Sequence, residues 1–195
     1  MSSFTRTQRR RGPAPPLAVG VACDVSGSMR AYTRPVASTA WILARATPAI
    51  PAARAAAVTY GRHVRPVTYP GAVPARVTEF TATDRYEDFT TAIAALDGAL
   101  ALSAPGAVRP LVIVSDGHYK GTQHADGQKL ITRLAAVGCE VIWIAPDDLA
   151  DTMTGTRVIG HNSIEVTHQI YGHLVPSSFD RARTALDHAY QASRR

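Results

Sequence analysis

The stretch LAVGVACDVSGSMR, residues 17–30, decides the fold. An unbroken apolar run, 17–23, ends at Asp24, and Ser26 and Ser28 follow at alternate positions. A continuous apolar run, as opposed to an alternating one, is the pattern of a central strand in a parallel sheet with both faces covered. The strand thus ends by presenting one carboxylate and two hydroxyls on a loop that bends at Gly27.

Working outward, Pro35 to Thr47 reads as a helix with proline in its first turn. Val36, Ala40 and Leu43 share one face, and Pro48 stops it. AAAVTY (55–60) and HVRPVTY (63–69) read as strands, and the tight YGRH link makes them an antiparallel hairpin. Pro66 assigns the second of them to a sheet edge, because proline has no N–H for the ladder. TTAIAALDGALAL, 90–102, has Ile93, Leu96 and Leu100 at helical spacing, with Thr90 or Thr91 as its cap. PLVIVSDG, 110–117, is another buried strand, ending in Ser-Asp-Gly. Asp126 to Val137 reads as a helix with Leu130, Leu134 and Val137 on one face, closed by Gly138. EVIWIA, 140–145, is the next strand. The alternation predicts an α/β fold: a Rossmann-like, doubly wound, mostly parallel sheet with one antiparallel edge strand. Ligands of such sheets lie beyond the carboxyl ends of the strands. Asp24 and Asp116 both fall there.

Asp24, Ser26, Ser28, a hydroxyl from Thr90 or Thr91, and Asp116 form an all-oxygen set without His or Cys. Hard cations prefer such donors, and Mg²⁺ keeps several waters while using only one or two carboxylates. The set leaves a coordination position open for water or for a carboxylate from another molecule.

With these motifs in order, the sequence resembles the von Willebrand factor A (VWA) family over about residues 17–146. DVSGS matches its metal-ion-dependent adhesion site (MIDAS) signature, Asp-x-Ser-x-Ser. The family's separate threonine would fall at Thr91, with Thr90 the alternative, and its later aspartate at Asp116. The resemblance implies a site for Mg²⁺ or Mn²⁺ held by Asp24, Ser26, Ser28, Thr91 and Asp116. It also implies a protein partner that supplies an Asp or Glu carboxylate, and a pairing with an AAA-type ATPase as some family members show.

Competing chemistries fit less well. A helix-capping loop accounts for Asp24 and the serines but leaves Asp116 unexplained. A phosphate-binding loop needs a Gly-Lys-Ser/Thr ending, which SGSMR lacks. An aspartyl-phosphate phosphatase wants a second aspartate two positions after Asp24, where Ser26 stands. A hydrolase elbow needs Gly-x-Ser-x-Gly. His118, His124 and Asp126 follow Asp116 on a polar segment and read as rim residues that tune partner choice.

The last fifty residues differ in composition. RVIGHNSIEVTHQIYGHLVPSSFDRARTALDHAY, from Arg157, resembles the C-terminal end of phage-integrase-type tyrosine recombinases. By that resemblance His161 would assist phosphate chemistry and Tyr171 would be the nucleophile attacking DNA. The His-x-x-Arg such enzymes need is missing: Leu130 stands three positions before Arg133. Without that cationic cradle the charge of the transition state goes unmet, so Tyr171 alone is expected to be inert. This segment reads as a fusion relic of a mobile element, ending in a helix over 178–192 with Phe179, Ala182, Leu186 and Ala189 on one stripe.

The whole chain sets the remaining limits. Its 195 residues are 46% hydrophobic, enough for one domain with an appended element. The organisation expected is a basic tail (1–15), a VWA-like domain (16–146) and a helical tail (147–195). All but two of the 21 basic residues are arginine, and Arg6, Arg9, Arg10 and Arg11 precede a proline-rich linker. That start lacks the apolar core of a signal peptide, and no apolar run approaches the ~20 residues of a membrane span. Cys23 and Cys139 belong to no CxxC pair and read as buried free thiols. A cytoplasmic, non-enzymatic, divalent-metal-dependent protein-binding module is the function expected, with DNA strand transfer through Tyr171 as the alternative.

Overall fold

The first strand, β1 (Leu17–Asp24), is buried from Ala18 to its end at Asp24. This is the covered central strand its sequence predicts. The computed structural model describes residues 15–160. A short 3-10 turn, Gly27–Tyr32, leads from β1 into helix α1 (Thr33–Ala46), and a second, Thr47–Ala49, leads out of it. Strand β2 (Ala53–Tyr60) and strand β3 (Val64–Thr68) follow, then helix α2 (Phe89–Leu100) and strand β4 (Pro110–Val114). Helix α3 (Gln123–Ala136), strand β5 (Glu140–Ala145) and strand β6 (Arg157–Gly160) complete the order.

These six strands form one sheet in the order β3-β2-β1-β4-β5-β6. All neighbours run parallel except β2 and β3, which pair antiparallel. The strand holding Pro66 is at the edge, as proline requires. From β1 the chain crosses to β2 on one side and later returns to β4 on the other. The topological switch point therefore lies between β1 and β4, where a crevice opens beyond their carboxyl ends.

Each face of the sheet is covered. On one side α1 and the preceding turn pack Met29, Val36 and Ala40 against Val19, Val21, Val112 and Val114. On the other, Phe89, Ile93 and Leu96 of α2 and Ile131 and Leu134 of α3 pack on Ala22, Leu111, Ile113 and Trp143. β1 is narrow on this second face. A Cβ at Gly20 would come within 3.2 Å of Leu102 and 3.3 Å of Leu111. Small residues there let the chain after α2 lie close to the sheet.

Three features differ from the sequence reading. Helix α3 starts at Gln123, three residues earlier than expected, and its buried stripe is Gln123, Gly127, Ile131 and Leu134. Of the expected stripe Leu134 is buried, Leu130 is only partly buried, and Val137, just past the helix, is exposed. Helix α2 starts at Phe89, with Asp88 at the N-cap position, so neither Thr90 nor Thr91 caps it. Finally, Arg157–Gly160 pairs with Ile142–Ala145 as a sixth strand. The sheet continues past residue 146 into the first residues of the recombinase-like stretch. His161, Tyr171 and the expected helix over 178–192 lie outside the described residues.

Candidate metal centre

β1 ends on a buried carboxylate. Asp24 is 2% exposed, and each of its oxygens accepts a hydrogen bond. The Ser26 backbone N–H donates to Oδ1 at 2.7 Å, closing the turn after the strand. The Ser115 hydroxyl, at the end of β4, donates to Oδ2 at 2.6 Å. Ser115 in turn accepts from the Gly117 N–H at 2.9 Å. One serine thus ties the ends of β1 and β4 together across the switch point.

The hydroxyls follow the same logic. Ser26 is buried against Asp24 and Ser28 is exposed, with their Oγ atoms 3.0 Å apart, so the two hydroxyls lead from the carboxylate to the surface. Asp116 is buried on the β4 loop; its Oδ1 accepts from the His118 N–H at 3.2 Å. The His118 ring lies on the exposed side of Asp116, with Nδ1 3.5 Å from Oδ2. His118 therefore stands at the rim beside Asp116. His124 faces Asp151 at 3.7 Å, and Asp126 pairs with Lys129 at 2.9 Å, so these two belong to α3 and its neighbours. Gly117, at φ +76°, turns the chain where any Cβ would overlap the Asp151 carbonyl. The Asp151 N–H donates to the Asp116 carbonyl at 2.7 Å.

Behind Asp24 lies a buried polar layer that sequence reading missed. The Tyr60 and Tyr119 hydroxyls are 2.8 Å apart, and both come up against Ser115. Burial raises both phenols well above their usual range, so both stay neutral. Burial likewise pushes the Asp24 carboxyl up to about 6; the bonds from Ser115 and Ser26 oppose this and the Asp116 charge adds to it.

The two candidate threonines stand differently at the start of α2. Phe89, Ala92, Ile93 and Leu96 define the inward side of α2, and Thr91 sits half a turn away from it, exposed. Thr90 is half-buried, with its N–H and hydroxyl both directed to Gln123 Oε1, at 3.1 and 3.3 Å. What the segment before α2 buries is Glu87, 4% exposed. This segment spans the two loops. Asp84 bridges to Ser26, and its carbonyl accepts from the Gly27 N–H at 2.8 Å. Phe89 stacks on Tyr119 with ring centres 4.9 Å apart. Between these anchors the Glu87 carboxyl meets the Lys120 backbone N–H and feels the Lys120 charge and, less strongly, that of Asp116, yet its Oε2 has no hydrogen-bond partner.

Among the described residues no three His, Cys, Asp or Glu side chains gather tightly enough to hold an ion alone. Hydroxyls and carboxylates together supply the donors, the mix that suits a hard cation retaining some of its waters. A buried carboxylate oxygen left without a partner is costly unless something positive completes it. On that ground the residues present fit a divalent ion.

The sheet order and its covering helices are those of the VWA fold. Solved structures similar in fold include proximal thread matrix protein 1 from the mussel byssus, at 13% identity and TM-score 0.55. That likeness covers 83% of this chain and 48% of that one. Manganese-loaded TRAP from Plasmodium vivax matches at 9% identity and TM-score 0.52, over 72% of this chain and 59% of that one. BatB from Bacteroides thetaiotaomicron matches at 11% and 0.53, over 82% of this chain and 97% of that one. The chain thus spans about half to three-fifths of the first two proteins. The mussel protein has also been solved with a zinc-occupied MIDAS motif. No protein-family model matches this sequence, and no curated protein is similar to it in sequence.

Proposed function

We propose that this chain is a divalent-cation-dependent protein-binding module without catalytic activity of its own. The observation that carries the reading is the Ser115 bond to Asp24. It fixes the DVSGS loop and the Asp116 loop as one unit at the switch point. Asp24, Ser26, Ser28 and Asp116 would hold Mg²⁺ or Mn²⁺. When bound, the ion offers a Lewis-acidic position to an oxygen of another molecule. The Asp24 bonds hold that carboxylate in one rotamer, and Ser28 on the exposed side leaves room for an approaching Asp or Glu of a protein partner. An AAA-type ATPase is such a partner by the family resemblance. Cytoplasmic placement belongs to the same proposal and is supported by two cysteines that are buried and unbridged. Among the described residues no helix is long and apolar enough to cross a membrane.

Titration of the full chain with Mn²⁺, followed by electron paramagnetic resonance, tests the reading. The wild type is expected to take up one ion, and Asp24→Ala to lose it while keeping its far-ultraviolet circular dichroism. A wild type that leaves all Mn²⁺ free, or an Asp24→Ala variant that binds like the wild type, would reject it.

A further inference from the structure

Glu87 is the one buried carboxylate in the crevice that the metal reading has not used. It is on the segment that joins both ion-facing loops, between the Asp84 bridge to Ser26 and the Phe89 stack on Tyr119. It is 4% exposed, and Oε2 accepts no hydrogen bond. Lys120, the nearest cation by sequence to Asp116, sends its ammonium to the Arg85 carbonyl at 3.1 Å. A structural glutamate at a helix start would be expected to bond the free N–H groups of the first turn. Here the Thr90 N–H goes to Gln123 instead, and α2 has no side-chain cap.

We propose that Glu87 is a working part of the ion site: its free Oε2 accepts from a water bound to the ion, and its charge helps retain the ion. The inference rests on the metal reading above. It adds to the site a third carboxylate, one that sequence reading did not single out. Two direct carboxylates balance a dication, so a third gives the loaded site a formal charge of −1. The ion is then held firmly even without a partner, since ligand charge count sets affinity for hard cations. A carboxylate reaching the ion through water also agrees with the absence of a three-carboxylate cage among the described residues.

The test compares the full-length wild type with Glu87→Gln and Glu87→Asp by Mn²⁺ titration and by thermal unfolding in EDTA. Glu87→Gln is expected to bind Mn²⁺ weaker by about tenfold or more, and Glu87→Asp to stay nearer the wild type. Without metal, Glu87→Gln should unfold at or above the wild-type temperature, because a carboxylate whose charge is disfavoured chiefly by its burial becomes a neutral amide. Equal Mn²⁺ affinity in Glu87→Gln and the wild type overturns the proposal and leaves the metal reading standing. So does a Glu87→Gln variant that is unfolded or less stable in EDTA, which marks a structural role. A wild type that binds no Mn²⁺ overturns both.

Discussion

The Ser115 hydroxyl donates to Asp24 Oδ2 at 2.6 Å, although ninety-one residues separate the two in sequence. That bond joins the ends of two adjacent parallel strands and adds to the Ser26 N–H as the second anchor of the Asp24 carboxylate.

Ser115→Ala should therefore act on both stability and ion binding. Removing a hydroxyl that serves a buried carboxylate costs about 1–3 kcal/mol. Equilibrium urea unfolding in EDTA is expected to show that loss with an unchanged denaturant slope. The same variant should bind Mn²⁺ less tightly, because Asp24 is freed to rotate. A variant with wild-type unfolding would show that Asp24 is fixed by the Ser26 N–H alone.

Asp24 also fixes a pH dependence. Its carboxyl rises from the usual 3.8 to about 6 because burial disfavours the charge. An acid whose pKa is higher in the folded state binds its proton more tightly there than in the unfolded chain. Its contribution is therefore fully present below about pH 4 and is lost as pH rises through about 6. The loss is on the order of 3 kcal/mol for the metal-free protein. Urea unfolding in EDTA from pH 4 to 7 should show stability falling across that window. Saturating Mn²⁺ should flatten or reverse the slope, since the ion replaces the proton on Asp24.

Charge at Glu87 should also set how the loaded site receives a partner carboxylate. With acetate as the probe and Mn²⁺ saturating, Glu87→Gln is expected to bind acetate more tightly than the wild type. Acetate then displaces ion-bound water, and the proton relaxation of the solvent reports it. Equal acetate response in the two proteins would mean that Glu87 lies outside the field felt by the incoming group.

The cysteines offer a simpler check. Cys23 and Cys139 are both buried, and burial raises the thiols, Cys139 to about 11 and Cys23 further. Only thiolate reacts with disulfide reagents. Neither cysteine should react with such a reagent in the native chain, and both should react in guanidinium. Fast labelling of the native protein would contradict the packing on the two faces of the sheet, where Cys23 and Cys139 lie in separate clusters.

What was legible in the sequence was what burial writes as apolar pattern. The run at 17–23, the hairpin edge at Pro66 and the stripe Ile93-Leu96-Leu100 each carry that signature, and each stands where it was expected. The acids Asp24 and Asp116 were legible because they stop apolar runs at strand ends. The illegible parts are buried polar groups. Gln123 and Gly127 face inward on α3, but a hydrophobic count reads both as surface. Glu87 is invisible for the same reason, since a lone glutamate before a helix looks like solvent-exposed charge. Ser115 stood in plain sight in SDG, and only the pairing of β1 with β4 shows that its hydroxyl reaches Asp24.

Gly127 tests whether the helix that begins with those polar residues also positions the ion site. Alanine there should favour an isolated helix by about 1 kcal/mol, since glycine is the poorer helix former. In the folded chain its Cβ would lie 2.7 Å from the Phe89 ring and 2.6 Å from Met153 Cε. The methionine end is flexible and can yield. The phenyl ring is wedged among Tyr60, Tyr119 and Trp143, so it transmits the overlap. Overpacking of that kind costs about 1–3 kcal/mol, which outweighs the helical gain. Gly127→Ala should therefore unfold at lower urea than the wild type. Because Phe89 follows Glu87 by two residues, it should also bind Mn²⁺ more weakly. Gly98 lies on α2 with nothing within 4 Å of its Cβ position, so Gly98→Ala is the matched control. It should raise stability and leave Mn²⁺ binding unchanged, and equal behaviour of the two variants would break the link from α3 through Phe89 to the site.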